Sequence, residues 1–230
     1  MSCIDLNADV GEGMPGDAEL MALISSASVA CGGHAGDQET MAQVCHLARR
    51  HGVRVGAHVS YPDRVGFGRR QTEVAPDELS RWVSQQIETL RHVAADHGVE
   101  VSYVKPHGAL YNRVVIDRDQ AAAVLAGSGD LPVLTLPGAV MAEIAQAQGR
   151  RVILEGFPDR GYTDDGQLIP RDQPGALVAG PEQVAAQAVE LVTRVDSLCL
   201  HGDSPGAAGS AGAVREALIN RGFTITPWVG

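Results

Sequence analysis

The sequence predicts an α/β protein, a single-domain (β/α) barrel with seven or eight parallel strands that covers residues 1–230. Short apolar runs alternate with helical patterns along the chain, which is typical of repeated strand–helix units. Polar or glycine-rich turns that carry His, Asp or Arg follow several of these runs. Hydrophobic residues make up 44% of the chain but aromatic residues only 4%. The core is therefore built mainly from Ala, Val, Leu and Ile, which suits helices packed on parallel strands.

Strands are expected where short β-rich runs end in a turn. The first run, CIDLNADV, alternates apolar and polar positions and leads into an acidic turn. Pro106 cannot donate to a sheet ladder, so we expect it to end the fourth strand. The predicted strands cover residues 3–10, 26–30, 53–57, 102–104, 132–136, 151–154, 197–200 and 223–228.

Helices are expected where apolar residues recur at intervals of three or four. Asp37 is placed to cap the helix that begins at Gln38, and Gly52 ends that helix. Pro76 opens the most regular helix, and Gly98 ends it. The predicted helices cover residues 17–24, 38–51, 76–97, 119–126, 139–148, 181–194 and 213–220.

The segment VKPHGALYN, residues 104–112, is predicted to form a turn directly after a buried strand. Gly108 permits a sharp exit from this turn, and His107 lies at the carboxyl end of the strand. Lys105 precedes the proline and is expected either to have a lowered pKa through burial or to pair with an Asp or Glu. The turn therefore carries candidate catalytic groups.

Four histidines follow four different predicted strands. This shared placement is stronger evidence for a common site than any one of the histidines alone. In a barrel the carboxyl ends of the strands meet at one mouth, so these side chains would line one pocket. In an open sheet they would spread along an edge instead. The pocket candidates are His34, His58, His107 and His201 with Asp5, Asp9, Lys105, Glu155 and Arg160.

Composition excludes several classes of partner. A net charge of -10 argues against nucleic acid or an anionic membrane as a principal partner. No apolar run reaches the roughly 18 residues of a membrane helix, and no secretory signal is recognisable. The four cysteines show no C-x-x-C spacing, so buried free thiols in a cytoplasmic protein are expected.

The glycine-rich stretch after His201 could cradle an anion or be simply flexible.

Two long polar loops also follow strands, at residues 58–70 and 155–171. The loop 58–70 contains several arginines, and in so acidic a chain a local basic group could hold a carboxylate or a phosphate.

Carboxylates, imidazoles and cations at one mouth suit hydrolysis of an amide or an ester. One Asp with two His could alternatively hold a divalent metal whose bound water attacks.

The polar motifs together resemble the LamB/YcsF family. They are IDLNADVGEG, ACGGHAGD, GAHVSYPDRVGFGRR, VKPHGALYN, FPDRGYTDDGQLIPR and LHGD, in order from residue 4 to about residue 203. The resemblance implies a barrel related to the glycoside hydrolase/deacetylase superfamily. It also implies ATP-dependent opening of the 5-oxoproline lactam to L-glutamate, with ATP as cosubstrate and with 5-oxoprolinase subunits B and C as partners. Whether the chain also forms a homo-oligomer stays open.

The resemblance also assigns site residues. The expected catalytic residues are Asp9, His34, His58, Lys105 and His107. The expected substrate-binding residues are Asp5, Asn7, Glu12, Asp37, Asp63, Arg70, Tyr111, Asn112, Arg160, His201 and Asp203. By analogy with metal-dependent deacetylases, a divalent metal would be held by Asp9, His58 and His107. The chain departs from the usual family pattern at Ala8, Ser28, Gly33 and Val59.

Two other functions fit the same residues. One is a stand-alone, metal-dependent deacetylase or amidohydrolase, which would act without ATP and lose activity on chelation. The other is a non-catalytic subunit that holds a ligand while a partner performs the chemistry. Titration of the chain with 5-oxoproline and ATP, together with metal analysis, discriminates between them.

Overall fold

The computed structural model describes residues 2–164, 166–204 and 206–228, which form a closed barrel of seven parallel strands surrounded by helices. β1 pairs with both β2 and β7 and so closes the barrel, while β8 pairs with the amino-terminal part of β1. This confirms the predicted fold class. The strands are β1 (Ser2–Val10), β2 (Ser26–Ala30), β3 (Arg54–Val59), β4 (Val101–Pro106), β5 (Val133–Thr135), β6 (Val152–Gly156), β7 (Ser197–His201) and β8 (Phe223–Ile225).

Eight helices of the described residues lie outside the barrel. Asp37 caps α2 as predicted, because its side chain accepts from the backbone N–H of Thr40 while the Thr40 hydroxyl bonds back to residue 37. The helices are α1 (Asp17–Met21), α2 (Gln38–His51), α3 (Pro76–Asp96), α4 (Gly108–Ile116), α5 (Arg118–Gly127), α6 (Val140–Ala147), α7 (Pro181–Leu191) and α8 (Ala207–Asn220).

Two predicted turns are helical in the structure. The segment after His107 forms α4 because Leu110, Tyr111 and Val114 pack their side chains into the core at helical spacing. The prediction of a turn across residues 104–112 was therefore wrong, and only its first residues are extended. The glycine-rich stretch after residue 206 forms the first turns of α8, since its alanines favour a helix more than its glycines oppose one.

The strand β1 has two different faces. Ile4, Leu6 and Val10 belong to the large apolar cluster between the strands and the helices. The alternating residues Asp5 and Asn7, together with Asp9 further along, have polar partners on neighbouring strands inside the barrel. Because side chains alternate along a strand, the polar residues of the first motif lie on the inner face.

Trp228 lies at the amino-terminal end of the barrel. It packs with Tyr103, and Arg54 stacks on the Trp228 ring at 4.4 Å while donating to its backbone carbonyl at 2.6 Å. Gly56 is required beside Tyr103, because a Cβ at this position would lie 2.2 Å from the Tyr103 ring. Aromatic side chains thus fill this end of the barrel, and the polar residues occupy the other.

The four cysteines are free thiols; Cys31, Cys45 and Cys199 are buried as predicted, whereas Cys3 is exposed at the start of β1. Within the described residues, no helix combines the length and the apolar character that crossing a membrane requires.

Candidate active site

The carboxyl ends of several strands bring their polar residues to one mouth. Asp9 lies near the end of β1, His58 near the end of β3 and Lys105 near the end of β4. His34 follows β2, and His107 immediately follows β4 as the residue that precedes α4. All five are at least 94% buried. The convergence expected for a barrel is therefore present.

Glu12 and three histidines form a compact buried cluster. The Glu12 Oε1 atom lies 3.0 Å from His34 Nε2, 3.5 Å from His107 Nδ1 and 3.9 Å from His58 Nε2. His107 Nδ1 lies 3.0 Å from His58 Nε2. One ligand atom from each of these four residues lies within 4.8 Å of the other three. We call Glu12, His34, His58 and His107 the histidine cluster.

The outward ring nitrogens of the histidine cluster have partners of their own. His58 Nδ1 lies 3.2 Å from the Lys105 carbonyl, and His107 Nε2 lies 2.9 Å from the Phe67 carbonyl. A carbonyl only accepts, so these nitrogens carry the proton and donate. His34 Nδ1 meets the hydroxyl of Ser60 at 3.0 Å. In this arrangement His107 Nδ1 faces Glu12 with a free lone pair, whereas His58 Nε2 faces both Glu12 and Asp9 Oδ2, the latter at 3.3 Å.

Phe67 and Gly68, in the loop after β3, cover the histidine cluster, and we call these two residues the strap. His34 and His107 stack at 3.7 Å between ring centroids, and Phe67 meets the edges of both rings. Phe67 has φ 54, a left-handed conformation that costs a non-glycine residue free energy and that often marks a functional site. At Gly68, with φ 65, a Cβ would lie 2.8 Å from His34 Cβ and 2.9 Å from the His107 ring. Only glycine fits there without displacing the histidines.

Burial decides the charge state of the cluster. Desolvation, followed by the neighbouring charge of Asp9, raises the pKa of Glu12 to about 9. Desolvation and the neighbouring His58 lower the pKa of His34 to about 2. The pKa of His107 is also well below its ordinary value, through burial and the two other histidines. His34 and His107 are consequently neutral at pH 7, the form in which imidazole binds a metal.

The histidine cluster has the composition and the spacing to hold a metal ion. Three imidazoles and one carboxylate match the donors that divalent transition metals prefer. Two ligand atoms that each lie about 2.1 Å from a tetrahedral ion are about 3.4 Å apart. Four of the separations in the cluster run from 3.0 to 3.9 Å, and all four ligand atoms lie within 4.8 Å of one another. His58 and His107 belong both to this group and to the metal triad expected from the sequence. Asp9, the third member of that triad, instead accepts from Lys105.

Lys105 forms a second buried polar group beside the cluster. Its Nζ lies 2.7 Å from Asp9 Oδ1, 2.9 Å from Cys199 Sγ and 3.3 Å from Glu155 Oε2. Burial opposes the charge of Lys105, but Asp9, Cys199 and Glu155 outweigh it and raise its pKa well above the ordinary value. Of the two alternatives for Lys105, pairing is therefore the one observed. The pKa of Asp9 is lowered, since His58 and Lys105 outweigh its own desolvation.

Lys105 is also the only lysine of the chain, because the remaining 17 of its 18 basic residues are arginines. An ammonium group is a compact point charge that can contact three partners in a small volume, whereas a guanidinium is larger and planar. Lys105 is 1% exposed, and its Nζ has a carboxylate on two sides. The site thus uses a lysine where the rest of the chain uses arginine.

A cavity of about 650 Å³ opens over these groups. Glu12, His58 and His107 form part of its wall, and Lys105 and Asp9 lie beside them. Its other side is apolar, with Val115, Ile116, Leu136, Phe157, Leu168 and Ile169. The cavity has ample room for a small cyclic amide, and it combines an apolar wall with a few convergent polar groups, as ligand sites do.

Ion pairs hold the rim of this cavity. Asp203 pairs with Arg171 at 3.0 Å and with Arg69. His201 directs both its backbone N–H and its Nδ1 to Asp159, at 3.0 and 2.9 Å. Three loops, after β3, β6 and β7, are tied together in this way.

Most of the site residues expected from the sequence border the cavity. Those that line it are Asp9, Glu12, His58, Lys105, His107, Tyr111, Asn112, Arg160, His201 and Asp203. His34 contacts Glu12 behind the wall.

Five expected substrate-binding residues do not line the cavity. Asp5 and Asn7 are buried deeper in the barrel, and Asp37 is the exposed cap of α2. Asp63 accepts from the backbone N–H of residue 66 at 2.8 Å, and Arg70 lies 3.9 Å from Asp63 with a side chain that is 66% exposed. These residues shape strands and loops rather than the cavity wall.

Two arginines of the cavity, Arg69 and Arg171, were not selected from the sequence. Arg69 and Arg70 are adjacent in one loop, and no pattern in the letters says which of them turns inward. Arg171 lies more than ten residues beyond its strand. A signal for both was the concentration of basic residues in two long loops that follow strands, in a chain with net charge -10.

Known proteins resemble this chain along almost its whole length. It is 47% identical over 245 residues to the 5-oxoprolinase A subunit of Streptomyces avermitilis, a match that covers 96% of this chain and 98% of that one. The crystal structure of a lactam utilization protein from Thermus thermophilus is 39% identical, with a TM-score of 0.90 and coverage of 97% and 99%.

More distant structures share the fold. A T48 deacetylase solved with its substrate superposes with a TM-score of 0.52 at 13% identity, covering 98% of this chain and 87% of that one. At this identity the likeness supports the barrel architecture alone. Residues 4–230 match the model of the LamB/YcsF family. This match, together with the close relatives, shows that the chain is a member of the LamB/YcsF family.

Proposed function

We propose that this chain is the A subunit of an ATP-dependent 5-oxoprolinase, which opens 5-oxo-L-proline to L-glutamate together with subunits B and C while ATP is hydrolysed to ADP and phosphate. The names of its relatives support the assignment to such a complex. The observation that carries a catalytic role is the buried histidine cluster beside the Lys105–Asp9 pair at the wall of a cavity.

The need for ATP follows from the substrate. A five-membered lactam is a stable amide, and transfer of a phosphoryl group to its carbonyl oxygen turns that oxygen into a leaving group. Water then adds to the carbon, and the ring C–N bond breaks as the nitrogen takes up a proton, which leaves an acyl phosphate. A second water hydrolyses the acyl phosphate to the carboxylate, and phosphate departs with the original oxygen. We assign binding of the lactam to this cavity and leave the phosphoryl transfer to the assembled complex.

The groups at the cavity wall suit the proton transfers. His107 is neutral and its Nδ1 lone pair faces the cluster, so it can accept a proton from attacking water. Glu12, with its pKa raised to about 9, carries a proton at pH 7 that can pass to the leaving nitrogen. The Lys105 ammonium, whose pKa is raised, stabilises negative charge that develops on oxygen.

A metal ion is the alternative occupant of the same cluster, in which case Glu12 and His107 are ligands rather than acid and base. A bound divalent ion would polarise a carbonyl oxygen or lower the pKa of a bound water. Glu12, His34, His58 and His107 would hold it, and Glu12 would release its proton on binding. Metal analysis of the purified chain, with His34→Ala as the comparison, tests this directly. We expect about one equivalent of metal in the wild type and a loss of at least about ten-fold in affinity in the variant.

The functional test is the cleavage of 5-oxoproline by all three subunits with ATP. His107→Ala is expected to lower kcat by about 100-fold or more, since it removes the proposed base. His92→Ala, at an exposed position of α3, is the matched control and should not change turnover. Unchanged turnover in His107→Ala, with its thermal unfolding still cooperative, would exclude the role of His107.

A metal-dependent amidohydrolase is the second candidate, and the donor set of the histidine cluster favours it. Such an enzyme would hydrolyse an amide without ATP and would lose this activity on chelation. Assays of the isolated chain with and without ATP, and with and without a chelator, separate the two functions.

A further inference from the structure

Four cationic side chains line the cavity, and two of them are committed to other partners. Lys105 pairs with Asp9 and Glu155. Arg160 donates to the carbonyls of residues 176 and 169, at 3.0 and 2.6 Å, and so fastens its own loop. Arg69 and Arg171 are the other two cations among the described residues of the cavity wall.

Arg69 and Arg171 share one carboxylate. Both Nη atoms of Arg171 reach Asp203, at 3.0 to 3.4 Å, and Arg69 reaches Asp203 through one Nη atom. Two guanidinium groups and one carboxylate leave this trio with a net charge of +1. The Arg69 guanidinium also lies over the Phe67 ring at 4.9 Å, which fixes its plane next to the strap on the histidine cluster.

The trio has hydrogen-bonding capacity to spare. A guanidinium has five N–H donors, and Asp203 takes two from Arg171 and one from Arg69. The side chains of Arg69 and Arg171 are 43% and 26% exposed, whereas that of Asp203 is 13% exposed. Arg69 and Arg171 both line the cavity, and the side-chain hydrogen bonds that they make among the described residues all go to Asp203.

The acids around the cavity do not cancel this charge. Asp9 pairs with Lys105 at 2.7 Å, and the Glu12 carboxyl lies inside the histidine cluster, 3.0 Å from His34 Nε2. Asp172 also lines the cavity, but its side chain is exposed. A small anion that enters therefore meets its strongest attraction at Arg69 and Arg171.

We propose that Arg69 and Arg171, positioned by Asp203, bind the free carboxylate of the substrate and so restrict the site to lactams that carry one. This inference rests on the proposed function for the lactam and adds the part of the substrate that determines specificity. A carboxylate can accept two parallel N–H bonds from one guanidinium. The corresponding carboxamide is neutral and presents donors of its own, which leaves the arginines unpaired and makes its binding weaker.

The test is calorimetric titration of the chain with 5-oxoproline and, separately, with its carboxamide. We expect the wild type to bind 5-oxoproline about 10- to 100-fold more tightly than the carboxamide. Arg171→Gln and Arg69→Gln should each weaken binding of 5-oxoproline by about 10-fold or more and reduce the preference for it. Arg81→Gln, at an exposed position of α3, is the matched control and should keep both affinities.

Arg171→Lys distinguishes a loss of binding from a folding defect. It keeps a positive charge next to Asp203 but loses the fork of two nitrogens, so we expect cooperative unfolding with binding several-fold weaker than in the wild type. Equal wild-type affinity for acid and carboxamide would overturn the proposal, as would wild-type affinity for 5-oxoproline in both glutamine variants. Failure of the proposed function is a separate result, namely absence of ATP-dependent cleavage by the three subunits, and the titrations remain decisive in that case.

Discussion

Asp5 and Asp9 lie on the same strand and face the same barrel interior, yet their surroundings differ completely. Asp5 accepts from the hydroxyls of Ser25, Ser26 and Ser197, and its pKa is raised because desolvation outweighs these bonds. Asp9 contacts Lys105 at 2.7 Å, and its pKa is lowered although it is equally buried.

The difference follows from depth in the barrel. Neutral hydroxyls satisfy the oxygens of Asp5 without supplying a charge, and Asp5 does not line the cavity. Asp9, four residues closer to the carboxyl end, meets an ammonium and an imidazole at the cavity wall. The barrel interior thus has a deeper level, at Asp5, and an outer level, at Asp9. A buried carboxylate has a structural role at the deeper level, where its partners are hydroxyls, and a chemical role at the outer level, where its partners are an ammonium and an imidazole.

Removal of the cation should have the largest effect. Lys105→Met leaves Asp9 and Glu155 buried without their shared ammonium, so we expect a loss of about 3 to 5 kcal/mol in the free energy of unfolding. Urea unfolding of the variant and the wild type measures it. A loss below about 1 kcal/mol would mean that the two acids find protons or water at little cost.

Charge removal at each aspartate gives the next largest effect, now on activity. Asp9→Asn should reduce 5-oxoproline cleavage by the three subunits about 100-fold or more, because Lys105 and His58 lose their ionised partner. Asp5→Asn is the matched variant on the same strand and should keep turnover within about three-fold, because its contacts stop at serine hydroxyls. Similar losses in both variants would remove the distinction between the two levels.

The dependence of stability on pH should have opposite signs at the two positions. Asp9 has a folded-state pKa below the unfolded value of about 3.9, so its contribution is present above that pH and is lost as the pH falls through the folded pKa. Asp5 has a raised folded-state pKa, so its cost is absent below about pH 3.9 and grows as the pH rises through the folded value.

Urea unfolding from about pH 3 to about pH 7 checks these signs. As the pH rises, Asp5→Asn should gain stability relative to the wild type, whereas Asp9→Asn should lose it. Parallel curves for the two variants would contradict the assigned pKa directions.

The sequence was sufficient for the barrel and for most of the polar residues of the cavity wall, for physical reasons. Strand–helix alternation places each residue that follows a strand at one mouth, which is why His58 and His107 could be assigned together. Alternation along the first strand put Asp5 and Asp9 on one face but did not reveal their depth. The pairing of Lys105 with both Asp9 and Glu155 joins three strands that are distant in sequence, and no local pattern encodes such a contact.

The loops were the hardest part to predict. Arg70 was selected from the sequence and Arg69 was not. The two residues are adjacent, but only the side chain of Arg69 lies on the cavity wall. The left-handed Phe67 and the tight approach of Gly68 to two histidines set the direction of Arg69, and both depend on tertiary contacts. The helix after His107 was missed because a proline and a glycine suggested a longer turn.

Loss of one hydroxyl at the deeper level should have the smallest effect. Ser197 donates to Asp5 and accepts from the Asn7 amide at 2.7 Å, so Ser197→Ala removes two hydrogen bonds and leaves Ser25 and Ser26 on the carboxylate. We expect a loss of about 1 to 3 kcal/mol in stability and unchanged cleavage of 5-oxoproline. Urea unfolding and the turnover assay measure both quantities. A fall in turnover without a fall in stability would place Asp5 in the chemistry and end the separation between the two aspartates, because only an electrostatic link to Asp9 could transmit it.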